Sequence, residues 1–153
     1  MPVTPTPSIG FTGKGGSISI STDGTAFTRI GQVQKLSSGG QKSNFADISN
    51  LDSPSAFIER IPTTLDSGTM SFTCVSNPAD SGQLMLLAAF NTQTKLTVKV
   101  QYPKSGSQTT SGLLKTFSAY VSTATDPTMD ISSASTFDAE LTISGPVTDT
   151  PGS

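Results

Sequence analysis

Apolar residues recur at every second position through most of this chain, the spacing of strands buried on one face. Ile18 and Ile20 alternate with Ser17, Ser19 and Ser21 ahead of a hairpin signal at Asp23-Gly24, and a return strand is expected from Phe27 through Ile30 and Val33 to Leu36. No hydrophobic period follows from Ser37 to Asn44, a stretch that reads as a long mobile loop. Scattered apolar residues then run from Phe45 through Ile48, Leu51, Phe57, Ile58 and Ile61, broken by Pro54 and Pro62, so extended but poorly delimited structure is expected. A turn at Asp66-Ser67-Gly68 leads into an alternating strand with Met70, Phe72 and Cys74 on one side.

One helix stands out. Asn77 is the expected N-cap, Pro78 the first helical position and Asp80 a first-turn acid before the run Leu84 to Phe90. Leu84, Leu87 and Ala88 fall on one stripe, expected to lie on a sheet face. Strong alternation returns in Leu96, Val98, Val100 and Tyr102, with Lys95, Thr97, Lys99 and Gln101 on the wet side. After a polar loop from Lys104 to Gly112, strands follow through Leu114, Phe117 and Val121, and through Phe137, Ala139, Leu141 and Ile143, ending at Gly145-Pro146. Strands, one helix, then strands imply a mainly β fold: an antiparallel β-sandwich or half-open barrel with one flanking α-helix. The Pro-rich start, residues 1–14, and the end, 146–153, read as flexible arms around a single domain at 15–145.

Composition narrows the chemistry. The 153 residues include no His, one Cys and 47 Ser or Thr, which removes the side chain that titrates near neutrality and the commonest metal ligand. The prior therefore shifts toward structure or binding, with no cofactor, no metal and no catalytic residue expected. A formal net charge of −2 gives no global attraction to nucleic acid or anionic membrane. No segment approaches the roughly 20 apolar residues that span a bilayer, and Met1 to Gly10 lacks a basic region followed by an apolar one, so neither a membrane span nor export is expected. Cys74, between Phe72 and Val75, has no partner for a disulfide and reads as a core thiol.

Three local patterns suggest chemistry and fall short of it. Gly13-Lys14-Gly15-Gly16 resembles a phosphate loop, but Ser8 and Gly15 stand where that motif needs a Gly and a hydroxyl residue, and no helix follows. Asp138 and Glu140 share a strand face about 7 Å apart, near glycosidase spacing, yet no Trp supplies a sugar platform. Lys95 and Lys99 share another face without the interleaved aromatics of a nucleic-acid footprint. Each is better read as a joint or a solvated face.

Two longer stretches carry a resemblance. Phe45-Ala46-Asp47-Ile48-Ser49-Asn50-Leu51-Asp52-Ser53 is followed by Phe57-Ile58-Glu59-Arg60-Ile61-Pro62-Thr63-Thr64-Leu65-Asp66-Ser67-Gly68-Thr69-Met70-Ser71-Phe72. Their wording resembles the major tail tube proteins of long-tailed, siphovirus-like bacteriophages, with Asp47, Glu59, Ile61, Pro62, Leu65, Asp66, Gly68 and Phe72 at matching places and Thr63-Thr64 departing from a common Gly. The resemblance implies a structural protein that self-assembles into stacked hexameric rings, forming a hollow tube for genome passage in the virion tail. It implies partners in the tape-measure, tail-tip and tail-terminator proteins, DNA passing without sequence-specific binding, and assembly in the bacterial host cytoplasm. By the same analogy Ser38, Gly39, Gly40, Gln41, Lys42, Phe45, Asp47 and Ile48 are the candidate contacts between rings or subunits. The alternatives are a tube protein of a contractile injection or secretion system, and a β-sandwich ligand-binding module, against which the lack of Trp weighs.

Overall fold

The computed structural model describes Gly10 and residues 12–153. Its elements in chain order are β1 (Ser17–Ser21), β2 (Thr28–Ile30), β3 (Val33–Ser38), β4 (Lys42–Asp47), β5 (Arg60–Asp66), β6 (Thr69–Val75), α1 (Ser81–Thr92), β7 (Leu96–Gln101), β8 (Leu114–Ala124), β9 (Thr136–Ile143) and β10 (Thr148–Thr150). Eight strands form one antiparallel sheet in the order β2-β1-β7-β8-β9-β6-β3, with β10 beside β8; β4 and β5 form a separate two-stranded sheet. The expected N-terminal arm, 1–14, lies mostly outside the described residues.

The alternation read from the sequence sets the register. Ile18 and Ile20 face Val100 and Val98, Val98 faces Phe117, Leu141 faces Val121 and Met70, and Phe72 faces Ala139, so one side of every central strand enters one continuous core. Each large aliphatic side chain wholly withdrawn from water there contributes about 1.5–3 kcal/mol. Cys74 is part of that core, and burial, followed by the nearby charges of Asp80 and Asp138, pushes its thiol up to about 11. This is the inert packed thiol expected.

Four expectations are corrected. The single strand from Phe27 to Leu36 is two: β2 pairs with β1, whereas β3 pairs with β6 at the opposite end of the sheet. The switch occurs at Gly31-Gln32, where Gln32 has φ 61. The Gly31 N–H donates to Asp80 Oδ2 at 3.2 Å, and the Gln32 carbonyl accepts from the Val75 N–H at 2.9 Å. Two residues thus join the two edges of a sheet that curls without closing, the half-open form of the expected fold. Second, the loop at 37–44 is mostly strand, because β3 ends at Ser38 and β4 begins at Lys42.

The helix differs in its cap and its rotation. Asp80, not Asn77, is the N-cap and accepts from the Gln83 N–H at 3.0 Å, while Asn77 closes only a local turn onto the Ala79 N–H. The buried positions are Gly82, Gln83, Leu86 and Ala89; Leu84, Leu87 and Ala88 face out. Apolar residues surround this helix, so periodicity could not choose a face. Close approach chose it: a Cβ on Gly82 would lie 2.3 Å from the Arg29 carbonyl oxygen. The buried Gln83 side chain completes the seating. It donates to the carbonyls of Gly31 at 3.1 Å and Val75 at 2.9 Å and accepts from the Asn77 N–H at 2.9 Å.

Finally, the expected loose tail at 146–153 is docked. After Gly145, with φ 94, the chain continues along the β8 edge that β9 has just left, and Asp149 meets Lys115 in an ion pair at 2.9 Å. Val147 packs on the core, and the Ser153 carbonyl accepts from the N–H groups of Thr109, Thr110 and Ser111. A Thr- and Pro-rich segment resembles a loop until the partner strand is known, since cross-strand pairing is a long-range property. No helix among the described residues is long and apolar enough to cross a membrane.

Candidate functional site

The segment of densest exposed apolar surface is the β4-β5 hairpin, a projecting arm. Its ladder pairs Lys42 with Asp66, Ser43 with Leu65, Phe45 with Pro62, Ala46 with Ile61 and Asp47 with Arg60, with a bulge between Ser43 and Phe45. Side chains directly opposite share a face, so Phe45 and Pro62 lie on one face and Ala46 and Ile61 on the other. Both faces are therefore apolar in part, yet Phe45 is 60% exposed and Leu65 79%. Two strands with no covered face have little stability of their own.

What holds the arm is polar and local. Asn44 Nδ2 donates to Thr64 Oγ1 at 3.0 Å, and Thr63 Oγ1 donates to the Asn44 carbonyl at 3.1 Å. At the tip the Ile48 N–H donates to the Glu59 carbonyl at 2.9 Å, the Glu59 N–H to Ser49 Oγ at 2.9 Å, and the Ser53 hydroxyl to Glu59 Oε2 at 3.3 Å. Asp47 accepts from the Ser49 N–H at 2.9 Å, which holds its carboxyl below the ordinary range, helped by the Ser49 hydroxyl and the Arg60 charge. Leu51, Phe57 and Ile58 project from this frame, Phe57 at 83% exposure.

The arm continues the β3-β6 ribbon across a glycine joint. The Gly39 N–H donates to the Thr69 carbonyl at 2.9 Å, and Asp66 Oδ1 accepts from the Gly68 N–H at 2.9 Å. Gly68 has φ 76, and a Cβ there would lie 2.4 Å from the Gly40 carbonyl oxygen, so the two linkers touch backbone to backbone. Asp66 and Gly68 thereby acquire structural reasons.

All eight predicted contact residues lie along one side of this arm. Ser38 ends β3, Gly39, Gly40 and Gln41 form the joint, Lys42, Phe45 and Asp47 belong to β4, and Ile48 opens the tip. The return side, with Phe57, Ile58, Ile61 and Leu65, is exposed as well and was not among the predicted contacts, although it lies in the stretch that carries the family resemblance. Ile61 and Leu65 sit at even spacing around Thr63, a strand signal that Pro62 masked.

The other patterns resolve as bland features. Gly13 to Gly16 form a turn, closed by the Gly16 N–H on the Gly13 carbonyl at 3.2 Å, which feeds a strand and not a helix N-terminus. Asp138 accepts from the Thr73 hydroxyl and Glu140 from that of Ser122, on an outward face. Lys99 Nζ stands 4.1 Å from the Phe27 ring centroid, while Lys95 precedes β7.

A protomer with an open sheet and an uncovered apolar arm is an assembly subunit, in which function resides in contacts between copies. The chain belongs to the phage tail tube protein family, whose model, described as "Phage tail tube protein, TTP", matches residues 6–151. Its role is structural, that of a tube-forming component of a phage virion tail, and membership of a structural family argues against catalysis. The fold is similar to the tail of a gene transfer agent particle, with TM-score 0.70, 14% identity and coverage of 92% of this chain and 99% of that one. It is also similar to the SPP1 tail tube, at TM-score 0.66 and 13% identity over 94% and 80% of the two chains. A third likeness is to the extracellular contractile injection system PVC sheath-tube complex, at TM-score 0.66 and 12% identity over 89% and 88%. At these identities the likenesses establish the fold alone. No curated protein matches the sequence.

Proposed function

We propose that this protein is the tube subunit of a long-tailed phage, six copies joining into a ring and rings stacking into a hollow conduit for the genome. The observation that carries this reading is the arm, an element apolar on both faces that packs on nothing in its own protomer. The gene transfer agent tail it resembles was described with C6 symmetry, which supports the ring number. Within residues 15–145, Ser38, Gly39, Gly40, Gln41, Lys42, Phe45, Asp47 and Ile48 make the contacts between subunits, joined by Phe57, Ile61 and Leu65 of the return side. Open edges at β2 and β3 give neighbouring protomers backbone to pair with.

The partners are further copies of itself, with tape-measure, tail-tip and terminator proteins at the ends. DNA passes without sequence-specific binding, no cofactor takes part, and assembly takes place in the host cytoplasm. Chains in structures of the anti-feeding prophage baseplate and of its tube-terminating cap share the fold, at TM-scores of 0.68 and 0.68, which suits a tube that meets other components at its ends. The PVC likeness keeps a contractile injection tube as the second reading, separable by whether a sheath gene lies beside this one.

Negative-stain electron microscopy across a concentration series tests the reading. Intact protein should give tubes of uniform width. A variant in which residues 42–66 are replaced by a short turn should stay a folded monomer with unchanged unfolding temperature and give none. Tubes formed by the armless variant would remove the arm from the contact.

A further inference from the structure

The curled sheet leaves a seam where β2 and β3 fail to meet, and the seam opens into a cavity of about 370 Å³. Val33, Leu36 and Tyr102 line it and pack on the core while remaining half-exposed. Arg29 and Lys35, on the two edge strands, form its cationic rim. No carboxylate lines the cavity, and among the described residues the one ion pair is Lys115–Asp149, so neither rim cation has an ionic partner. Asp138 shares a neighbouring hollow with Lys35 but is held by the Thr73 hydroxyl.

The tip of the arm has the complementary character. Residues 47–60 carry Asp47, Asp52 and Glu59 against the single cation Arg60, which stands opposite Asp47, beside exposed Leu51, Phe57 and Ile58. We propose that the seam is the socket for this tip from a neighbouring copy, Phe57 and Ile58 entering the cavity and the tip carboxylates facing Arg29 and Lys35. The proposal rests on the arm being an assembly element and names where it lands. Arm and socket are different surfaces, so each protomer offers both and the contact is head-to-tail, which propagates without closing when it joins one ring to the next. A growing tube then shows unfilled sockets at one end and free arm tips at the other, which distinguishes its two ends chemically.

Charge reversal tests the pairing in the full chain. Arg29→Glu with Lys35→Glu should raise the concentration needed for tubes by roughly tenfold or more, since like charges then face each other across the contact. Asp52→Lys with Glu59→Lys should do the same, and the four changes together should restore assembly, with the unfolding temperature of each variant confirming that it folds. Reversals without effect, or a combination that does not restore tubes, overturn the socket. The first nine residues carry no charged side chain, so their occupancy of the seam would give the first of those results. As a second route, mixing Leu36→Cys and Phe57→Cys proteins under oxidising conditions should yield a cross-linked heterodimer within tubes; tubes lacking the cross-link count against the proposal. If the armless variant fails to polymerise while the reversals do nothing, the arm keeps its role and only the socket falls.

Discussion

The curled sheet and the arm are built from the same kinds of residue and live under opposite conditions. In the sheet, Phe72 and Leu141 are withdrawn from water on a face that the central strands share. In the arm, Phe57 and Leu65 stand in solvent on a hairpin held by hydroxyls and amides. The difference teaches that hydrophobic content alone does not mark a core; shared register does. Apolar residues aligned on one side of several strands fold the protomer, and apolar residues spread over both sides of two strands remain for another molecule to cover.

The sharpest way to break this contrast is to remove one aromatic ring from each region. Phe72→Ala should lower stability by about 3–5 kcal/mol through the cavity it leaves, measured by denaturant unfolding of the monomer. Phe57→Ala should leave that curve within about 0.5 kcal/mol and reduce sedimentable polymer instead. Equal destabilisation by both would place the arm tip in the protomer's own core.

A smaller loss is expected where the helix seats on the seam. Gln83→Ala strips hydrogen bonds from the Gly31 and Val75 carbonyls and the Asn77 N–H, costing about 2–3 kcal/mol in chemical denaturation. At the joint, Gly68→Ala sets a Cβ against the Gly40 carbonyl at positive φ, with an expected cost of about 1–3 kcal/mol. Hydrogen exchange should then rise at Gly39 and through the arm while the core amides change little; uniform exchange would show that arm and sheet open together.

Within the arm, acid should have the smallest effect of these changes. Asp47 has a folded value depressed below the ordinary 3.8, so its contribution is present above that value and is lost as pH falls through the lowered one. Protection of the Ser49 amide should fade below about pH 4 with scarcely any shift in unfolding temperature, because the group is exposed to solvent. A persistent Ser49 amide at acid pH would mean that the tip is held by other bonds.

Much of the sheet was legible because period-2 alternation is a local signal. Ile18 to Ile20, Met70 to Cys74, Leu96 to Val100 and Phe137 to Ile143 each announced which side would be buried. The arm was legible only as an absence of pattern, since strands that bury nothing in their own protomer have no reason to alternate. Its position came through the family wording from Phe45 to Phe72, and its return side was missed because Pro62 reads as a breaker until its place opposite Phe45 is known.

By itself, then, the sequence determined a β-rich chain with one helix, a buried unreactive Cys74 and a composition poor in catalytic groups. Tertiary structure alone decided that β2 and β3 part at Gly31-Gln32 to opposite sheet edges, that Gly82 turns Leu86 and Ala89 inward, and that 146–153 docks along β8. The physical reason is the same in each case. Alternation and capping are properties of neighbours in the chain, whereas strand partner, helix rotation and tail docking depend on backbone approaches between segments that meet only in the folded molecule.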